Sequence, residues 1–190
     1  MALTFSTMLP LGTTAPTFTL ANVINNKMFS LASVPAQTGT VIMFICNHCP
    51  FVKHIMEKLL EIVNTYESQG IQFIAISSND INSYPDDAPE KMQALAKKLN
   101  FNFPYLYDED QSIAKAYRAA CTPDFYLFDA SLKLAYRGRL DDSTPGNKIP
   151  VSGKDLRKAL DCLLTHTPLS PEQHPSQGCN IKWKDEVKLN

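Results

Sequence analysis

At 190 residues the chain has room for one domain with a proper core and a terminal extension, and its 44% apolar share is ordinary for a globular protein. A formal net charge of −1 speaks against a nucleic-acid partner or an anionic membrane surface. The longest apolar run, Val41 to Ile45, is far too short to span a bilayer.

The first residues, Met1-Ala2-Leu3-Thr4-Phe5-Ser6-Thr7, carry no basic segment and no continuous apolar core, so no signal peptide is expected and the cytoplasm is the expected compartment. In that compartment a Cys-x-x-Cys pair is catalytic or metal-binding more often than it is a structural bridge. Five cysteines, an odd number, do not make a complete disulfide framework.

Residues 1–16 read as a lead-in ending at Ala15-Pro16. Thr17 to Leu20 alternates, Asn22 and Asn25-Asn26 supply turn chemistry, and Met28 to Leu31 alternates again, which predicts a β-hairpin over 17–31. The loop from Val34-Pro35 to Gly39 feeds a buried strand, Thr40 to Ile45. That strand stops at Cys46-Asn47-His48-Cys49, and a helical pattern begins at once. Val52, Ile55, Met56, Leu59, Ile62, Val63 and Tyr66 fall on one face at helical spacing, with Gly70 as the expected C′ residue. Ile71 to Ile76 is a second buried strand, so strand, helix and strand form a parallel βαβ unit.

Ser77 to Asp87 is a polar loop at the carboxyl end of that strand, where open α/β sheets present ligand-facing loops. Asp87-Ala88-Pro89-Glu90 has the form of a capping box and opens a helix carrying Met92, Leu95, Ala96 and Leu99. Phe103 to Tyr107 reads as a short strand. Asp108 to Gln111 starts a helix with Ile113, Ala114, Ala116 and Tyr117. Cys121-Thr122-Pro123 leads into a hairpin of Asp124–Asp129 and Leu132–Gly138. A loop rich in Asp, Pro and Gly runs from Leu140 to Val151. Ser152 to Asp155 caps a last helix holding Leu156, Ala159, Leu160, Leu163 and Leu164, with Cys162 as core. The tail holds Cys179, with Ile181, Trp183, Val187 and Leu189 at alternate positions, a pattern that predicts docking on the domain.

The chemistry centres on Cys46 and Cys49. The first turn of a helix has free N–H groups and a partial positive charge, both of which favour a thiolate, the reactive form of cysteine. Two cysteines three apart in such a turn can also close a disulfide. A zinc site would need four ligands, commonly from a second Cys-x-x-Cys or His pair. His48 and His54 lie nearby, but the sequence has no such second pair, so no metal and no other cofactor is expected. A partly protonated His48 beside Cys46 would lower its pKa and make the disulfide more oxidising.

The order of elements, with Cys46-Asn-His-Cys-Pro-Phe-Val-Lys53, Cys121-Thr-Pro-Asp-Phe-Tyr-Leu-Phe-Asp129 and the tail Pro175 to Trp183, resembles a thioredoxin-fold protein. The branch it resembles is the peroxiredoxin-like one, in the superfamily of alkyl hydroperoxide reductases and thiol-specific antioxidants. The first two segments are specific when found together, about 75 residues apart. The resemblance covers nearly the whole chain. It implies an α/β fold: a central mixed sheet flanked by helices, with an N-terminal β-hairpin and an ordered C-terminal tail. Residues 1–165 would form the domain and residues 166–190 an extension packed on it.

The resemblance also implies roles. Cys46 would be the exposed nucleophile and Cys49 the resolving thiol, exchanging through a mixed disulfide. Thr122-Pro123 would be a cis bond against the dithiol, lining a substrate groove with Cys121 one step away, although Cys121 reads more simply as a small buried hydrophobe. Disulfide oxidants of similar motif carry His before the second Cys, so the expected potential is less reducing than that of thioredoxin, about −270 mV. Asp80, Arg139, Asp141 and Asp142 lie in loops able to face the site, with solvated charge as the plainer reading of each. Cys179 is a candidate extra resolving thiol.

The leading function is therefore thiol–disulfide oxidoreductase, acting on a disulfide-containing protein or a small disulfide and recharged by an upstream reductant. A thiol-dependent peroxidase is the alternative. Peroxiredoxins carry Pro-x-x-x-Thr/Ser-x-x-Cys, however. Counting back from Cys49 gives Cys46 and Ile42, and from Cys46 gives Met43 and Gly39, so neither register supplies the motif. A metal-delivery protein would pair the two cysteines with a distant His, and no His occurs between His54 and His166. A non-catalytic binding module that retains the motif completes the set.

Overall fold

The computed structural model describes residues 3–34 and 38–184. The tail positions Val187 and Leu189, and part of the loop from Val34 to Gly39, lie outside the described residues. Ten strands, β1 (Leu3–Phe5), β2 (Thr19–Asn22), β3 (Lys27–Ser30), β4 (Gly39–Phe44), β5 (Ile71–Ser77), β6 (Tyr105–Tyr107), β7 (Cys121–Thr122), β8 (Asp124–Asp129), β9 (Leu134–Gly138) and β10 (Gln177–Asn180), make two sheets among the described residues. The larger has the order β3-β2-β6-β5-β4-β8-β9 and the smaller β1-β10-β7. The helices are α1 (Pro50–Glu67), α2 (Pro89–Lys98), α3 (Ser112–Ala116) and α4 (Lys154–Leu164).

Strand β4 is the axis. It runs parallel to β5 and antiparallel to β8 and is buried along its whole length. Its alternating side chains serve two cores, as the period of two in a strand dictates. Val41 and Met43 pack with α1, α2 and α4, whereas Ile42 and Phe44 pack with Tyr117 and Tyr126 on the opposite face. The mixed sheet with flanking helices agrees with the expected fold.

On α1 the buried residues are Val52, Ile55, Met56, Leu59, Ile62, Val63 and Tyr66, the same face the periodicity predicts. Full burial of such a side chain stabilises by about 1.5–3 kcal/mol, so packing rather than capping holds α1 to the sheet. The hairpin β2–β3 forms within the expected bounds, with Thr19 opposite Ser30 and Asn22 opposite Lys27.

Several local expectations differ. The central strand is Gly39–Phe44, one residue earlier than read. The C-cap of α1 is Ser68, which places Gly70 one position beyond C′. No capping box forms at Asp87: the N-cap of α2 is Ala88, and the Asp87 carboxylate turns to other partners. Helix α4 is capped by Gly153 in the left-handed region, and its start is pinned by Asp141, whose Oδ2 accepts the N–H groups of Ser152 and Gly153 at 2.6 Å each. Cys162 is half-buried rather than core, because it faces sideways from the Leu156–Ala159–Leu160 stripe. The lead-in also hides a strand, β1, which pairs antiparallel with β10.

Two glycines let the tail lie close. A Cβ on Gly178 would stand 2.0 Å from the Thr122 carbonyl oxygen, and one on Gly138 the same distance from the His174 carbonyl oxygen. With both absent, β10 sits between β1 and β7, and Ile181 is buried while Trp183 remains 41% exposed. Among the described residues no helix is long and apolar enough to cross a membrane.

Candidate active site

The turn from β4 to α1 delivers both sulfurs of the Cys-x-x-Cys pair to the helix start. Cys49 is the N-cap residue with extended backbone, and Pro50 follows in the first turn, where the missing N–H costs nothing. The two thiols share a hydrogen bond. The Thr122-Pro123 peptide is cis, and Thr122 touches both thiols. Its hydroxyl lies 3.4 Å from the Cys46 sulfur, and its carbonyl oxygen accepts from the Cys49 thiol at 3.2 Å. The stretches predicted to meet, Cys46–Cys49 and Cys121–Pro123, therefore do meet. The expectation of an exposed nucleophile does not hold: Cys46 is 1% exposed, because Thr122, Asn47 and the α1 start close over it. Cys46 is approached along an apolar groove whose walls include Val52, Met56, Leu95 and Leu99.

His48 is shared between Asp87 and Cys46, with Asp87 the nearer partner. Its Nδ1 lies 2.5 Å from Asp87 Oδ2 and 3.9 Å from the Cys46 sulfur. Its ring stacks on Tyr84 at 5.2 Å between centroids, and the Lys182 ammonium lies 5.3 Å over the far partner of that stack. Asp87 is the centre of this loop. It is fully buried and accepts from the backbone of Asn47 and His48 through Oδ1 and from Asn79 Nδ2 through Oδ2. Burial pushes its pKa up, but the bonds from His48 and Asn79 outweigh this and the net shift is downward, so Asp87 is a carboxylate. Sequence reasoning took Asp87 for a helix cap. The available signal was its place at the end of the polar 77–87 loop, on the ligand side of β5.

The thiols are unequal. Cys46 is held well above the ordinary thiol value by its bond to Cys49, by burial and by the Asp87 charge. Cys49 is lowered, because the bond from Cys46 outweighs burial and those from Thr122 and Cys179 add to it. The pair thus holds one proton between its two sulfurs and gives up the other more readily, next to the helix N-terminus.

The other named residues are more distant in role. Cys121 is buried, with its sulfur 3.8 Å from the Pro123 carbonyl oxygen, and burial drives its pKa far up. The Asp80 carboxylate bonds Ser83 Oγ at 2.7 Å and Asn82 N at 3.1 Å, closing its own turn. Arg139 pairs with Asp155 at 2.6 Å and lines, with Phe5, Phe51, Pro123 and Ser176, a pocket beside the cis-proline. Asp142 pairs with Lys154 on the surface. Cys179 is 4% exposed and bonds to Cys49. As metal donors, Cys46, His48 and Asp87 place one atom each within 4.8 Å of one another. The 2.5 Å between His48 and Asp87 is closer than two ligands of one zinc, each about 2.0–2.2 Å from it, would stand, so the pair would have to part to admit an ion.

The topology and the strand-to-helix dithiol turn define a thioredoxin-like α/β protein. A crystal structure of an uncharacterized conserved protein from Geobacillus kaustophilus is 54% identical, with a TM-score of 0.96 over 98% of this chain and 99% of that one. A hypothetical protein from Sinorhizobium meliloti is 43% identical, with a TM-score of 0.93 over 96% of this chain and 100% of that one. A secreted Mycobacterium tuberculosis disulfide oxidoreductase shares the fold at 20% identity and a TM-score of 0.58, over 76% of this chain and 95% of that one. None of the curated proteins matches the chain in sequence. The AhpC/TSA family model matches residues 11–137, and the chain belongs to the AhpC/TSA family.

Proposed function

We propose that the chain is a thiol–disulfide oxidoreductase acting through Cys46 and Cys49. The observation that carries this reading is the hydrogen-bonded pair of sulfurs at the start of α1, both in contact with Thr122 beside the cis-proline. Membership of the AhpC/TSA family supports a redox role in general.

In the reaction a substrate disulfide enters the apolar groove and meets Cys46. As Cys46 attacks, the proton shared by the two sulfurs passes to Cys49, so Cys49 serves as the local base. One substrate sulfur joins Cys46 and the other leaves as a thiolate, which takes up the proton released by Cys49. Cys49 then attacks Cys46, expels the second substrate sulfur as a thiolate and closes the Cys46–Cys49 disulfide. The chain has lost two electrons and the substrate disulfide has gained them. An external dithiol restores the pair. A protein disulfide or a small disulfide fits this chemistry, and no metal or cofactor enters it.

A lowered first ionisation of the pair would make its potential less reducing than that of thioredoxin, about −270 mV. Family membership keeps a thiol-dependent peroxidase as the second reading. The deciding experiment equilibrates the protein in glutathione buffers, labels free thiols by mass, and assays the same samples for hydrogen peroxide turnover. A reversible Cys46–Cys49 disulfide without peroxide turnover supports the oxidoreductase. Rapid peroxide consumption with sulfenic acid on either cysteine overturns it in favour of the peroxidase.

A further inference from the structure

We propose that Cys179 is a third redox thiol, which takes Cys49 over from Cys46 so that the disulfide moves to the tail strand and Cys46 is returned as a thiol. This rests on the dithiol reading above and extends it.

Three observations converge on the contact. Cys179 lies on β10 directly opposite Thr122 in register, and the Thr122 carbonyl oxygen is the one that the Cys49 thiol bonds at 3.2 Å. Cys179 and Cys49 share a hydrogen bond of their own. The strand is also fixed there: Gly178 lets it lie against Thr122, Ser176 Oγ donates to the Gly138 carbonyl at 2.6 Å, and Ile181 N donates to the Ala120 carbonyl at 3.0 Å. The third sulfur is thus held within hydrogen-bond reach of the second.

The step is an exchange and balances without any outside oxidant. The Cys179 thiolate attacks the Cys49 sulfur of the Cys46–Cys49 disulfide. The Cys49–Cys179 bond forms, the Cys46–Cys49 bond breaks, and the electron pair leaves on Cys46, which takes the proton that Cys179 gave up. In the reduced chain the Cys179 proton is held by burial, by the bond to Cys49 and by the Cys49 charge. The last two vanish once Cys49 is in a disulfide, while the opposing pull of Lys182 remains. Cys121, the other buried sulfur nearby, lies against the Pro123 and Ser176 carbonyls instead of sharing a hydrogen bond with Cys49.

The test uses the wild-type chain. It is oxidised to equilibrium in glutathione disulfide, quenched in acid, alkylated and digested with trypsin. Cys46 and Cys49 fall together in the 28–53 peptide and Cys179 falls with Cys162 in the 159–182 peptide, so fragment ions of the linked pair assign the bridged and the alkylated sulfurs. A Cys46–Cys49 bridge is internal to the first peptide. A Cys49–Cys179 bridge links the two, with Cys46 alkylated. The expected result is both species in the wild type. In Cys179→Ser the linked species should be lost, the internal bridge retained, and alkylated Cys46 in the oxidised sample reduced at least tenfold. An internal bridge alone in the wild type overturns the proposal and leaves the dithiol reading standing. A cross-link from Cys49 to Cys121 or Cys162 also overturns it. Neither kind of bridge refutes the dithiol reading and the proposal with it.

Discussion

Asp87 holds His48 through an Oδ2–Nδ1 contact of 2.5 Å, while its other oxygen takes the backbone N–H of Asn47 at 2.8 Å and of His48 at 3.2 Å. One buried carboxylate therefore fixes the residues between the two cysteines and lays its charge beside Cys46. Replacing it with asparagine keeps an oxygen for the backbone and removes the charge. Asp87→Asn should lower the Cys46 pKa, because one of the groups holding its proton is gone, and should cost about 1–3 kcal/mol of stability through the weakened bonds. Thiolate absorbance against pH and urea unfolding measure the two effects. A Cys46 pKa that stays the same or rises would show that the Asp87 charge is not felt at the sulfur.

The division of labour between the thiols is tested by trapping. Cys49→Ser should accumulate a mixed disulfide on Cys46 when given a disulfide substrate, since the resolving step is lost. Cys46→Ser should form its adduct at least tenfold more slowly, because Cys49 lies below the groove. The reverse order of rates would make Cys49 the entering nucleophile.

Asp124 follows the cis-proline and is buried, with Tyr126 donating to it at 2.9 Å. Burial pushes its pKa up to about 7 from 3.8. Between those values the folded chain binds a proton that the unfolded chain has lost, so its contribution to stability is full below about pH 4 and is lost as pH rises to 7. Asp124→Asn should abolish this loss. Its stability relative to wild type should rise by about 2–3 kcal/mol between pH 5 and pH 8, read by urea unfolding. An equal difference at both pH values would refute it.

Gly178→Ala tests how the tail is seated. The new methyl would meet the Thr122 carbonyl oxygen, an immovable backbone atom, at 2.0 Å. Overpacking of this kind costs about 1–3 kcal/mol. Displacing β10 should also speed alkylation of Cys49, whose cover includes that strand. Unchanged stability and unchanged alkylation would mean that the tail is not seated as described.

What the sequence revealed and what it hid follow from the range of the interactions. Helix α1 was legible to the residue because its apolar spacing is a local property and the core it faces is continuous. Strand β4 was legible because burial on both faces leaves an unbroken apolar run. Strand β1 was not, since Leu3–Phe5 is three residues long and exists only through pairing with a strand more than 170 positions away. Asp87 was misread for a related reason. An Asp before Ala-Pro-Glu satisfies a local capping rule, and nothing nearby in sequence announces His48 as the stronger partner. Cys162 was misread because a leucine-rich helix says which residues are apolar more reliably than which ones point inward.

The placement of β10 joins matters that are far apart in the chain. Both ends of the described polypeptide converge on one side of the dithiol, with β1 clipped to β10 and β10 clipped to the strand carrying Thr122. Loosening either end unclips the other and then uncovers the sulfurs. A protease nick, a bulky appended peptide or a binding partner at one terminus would thus be felt as a change in thiol reactivity at the centre of the molecule.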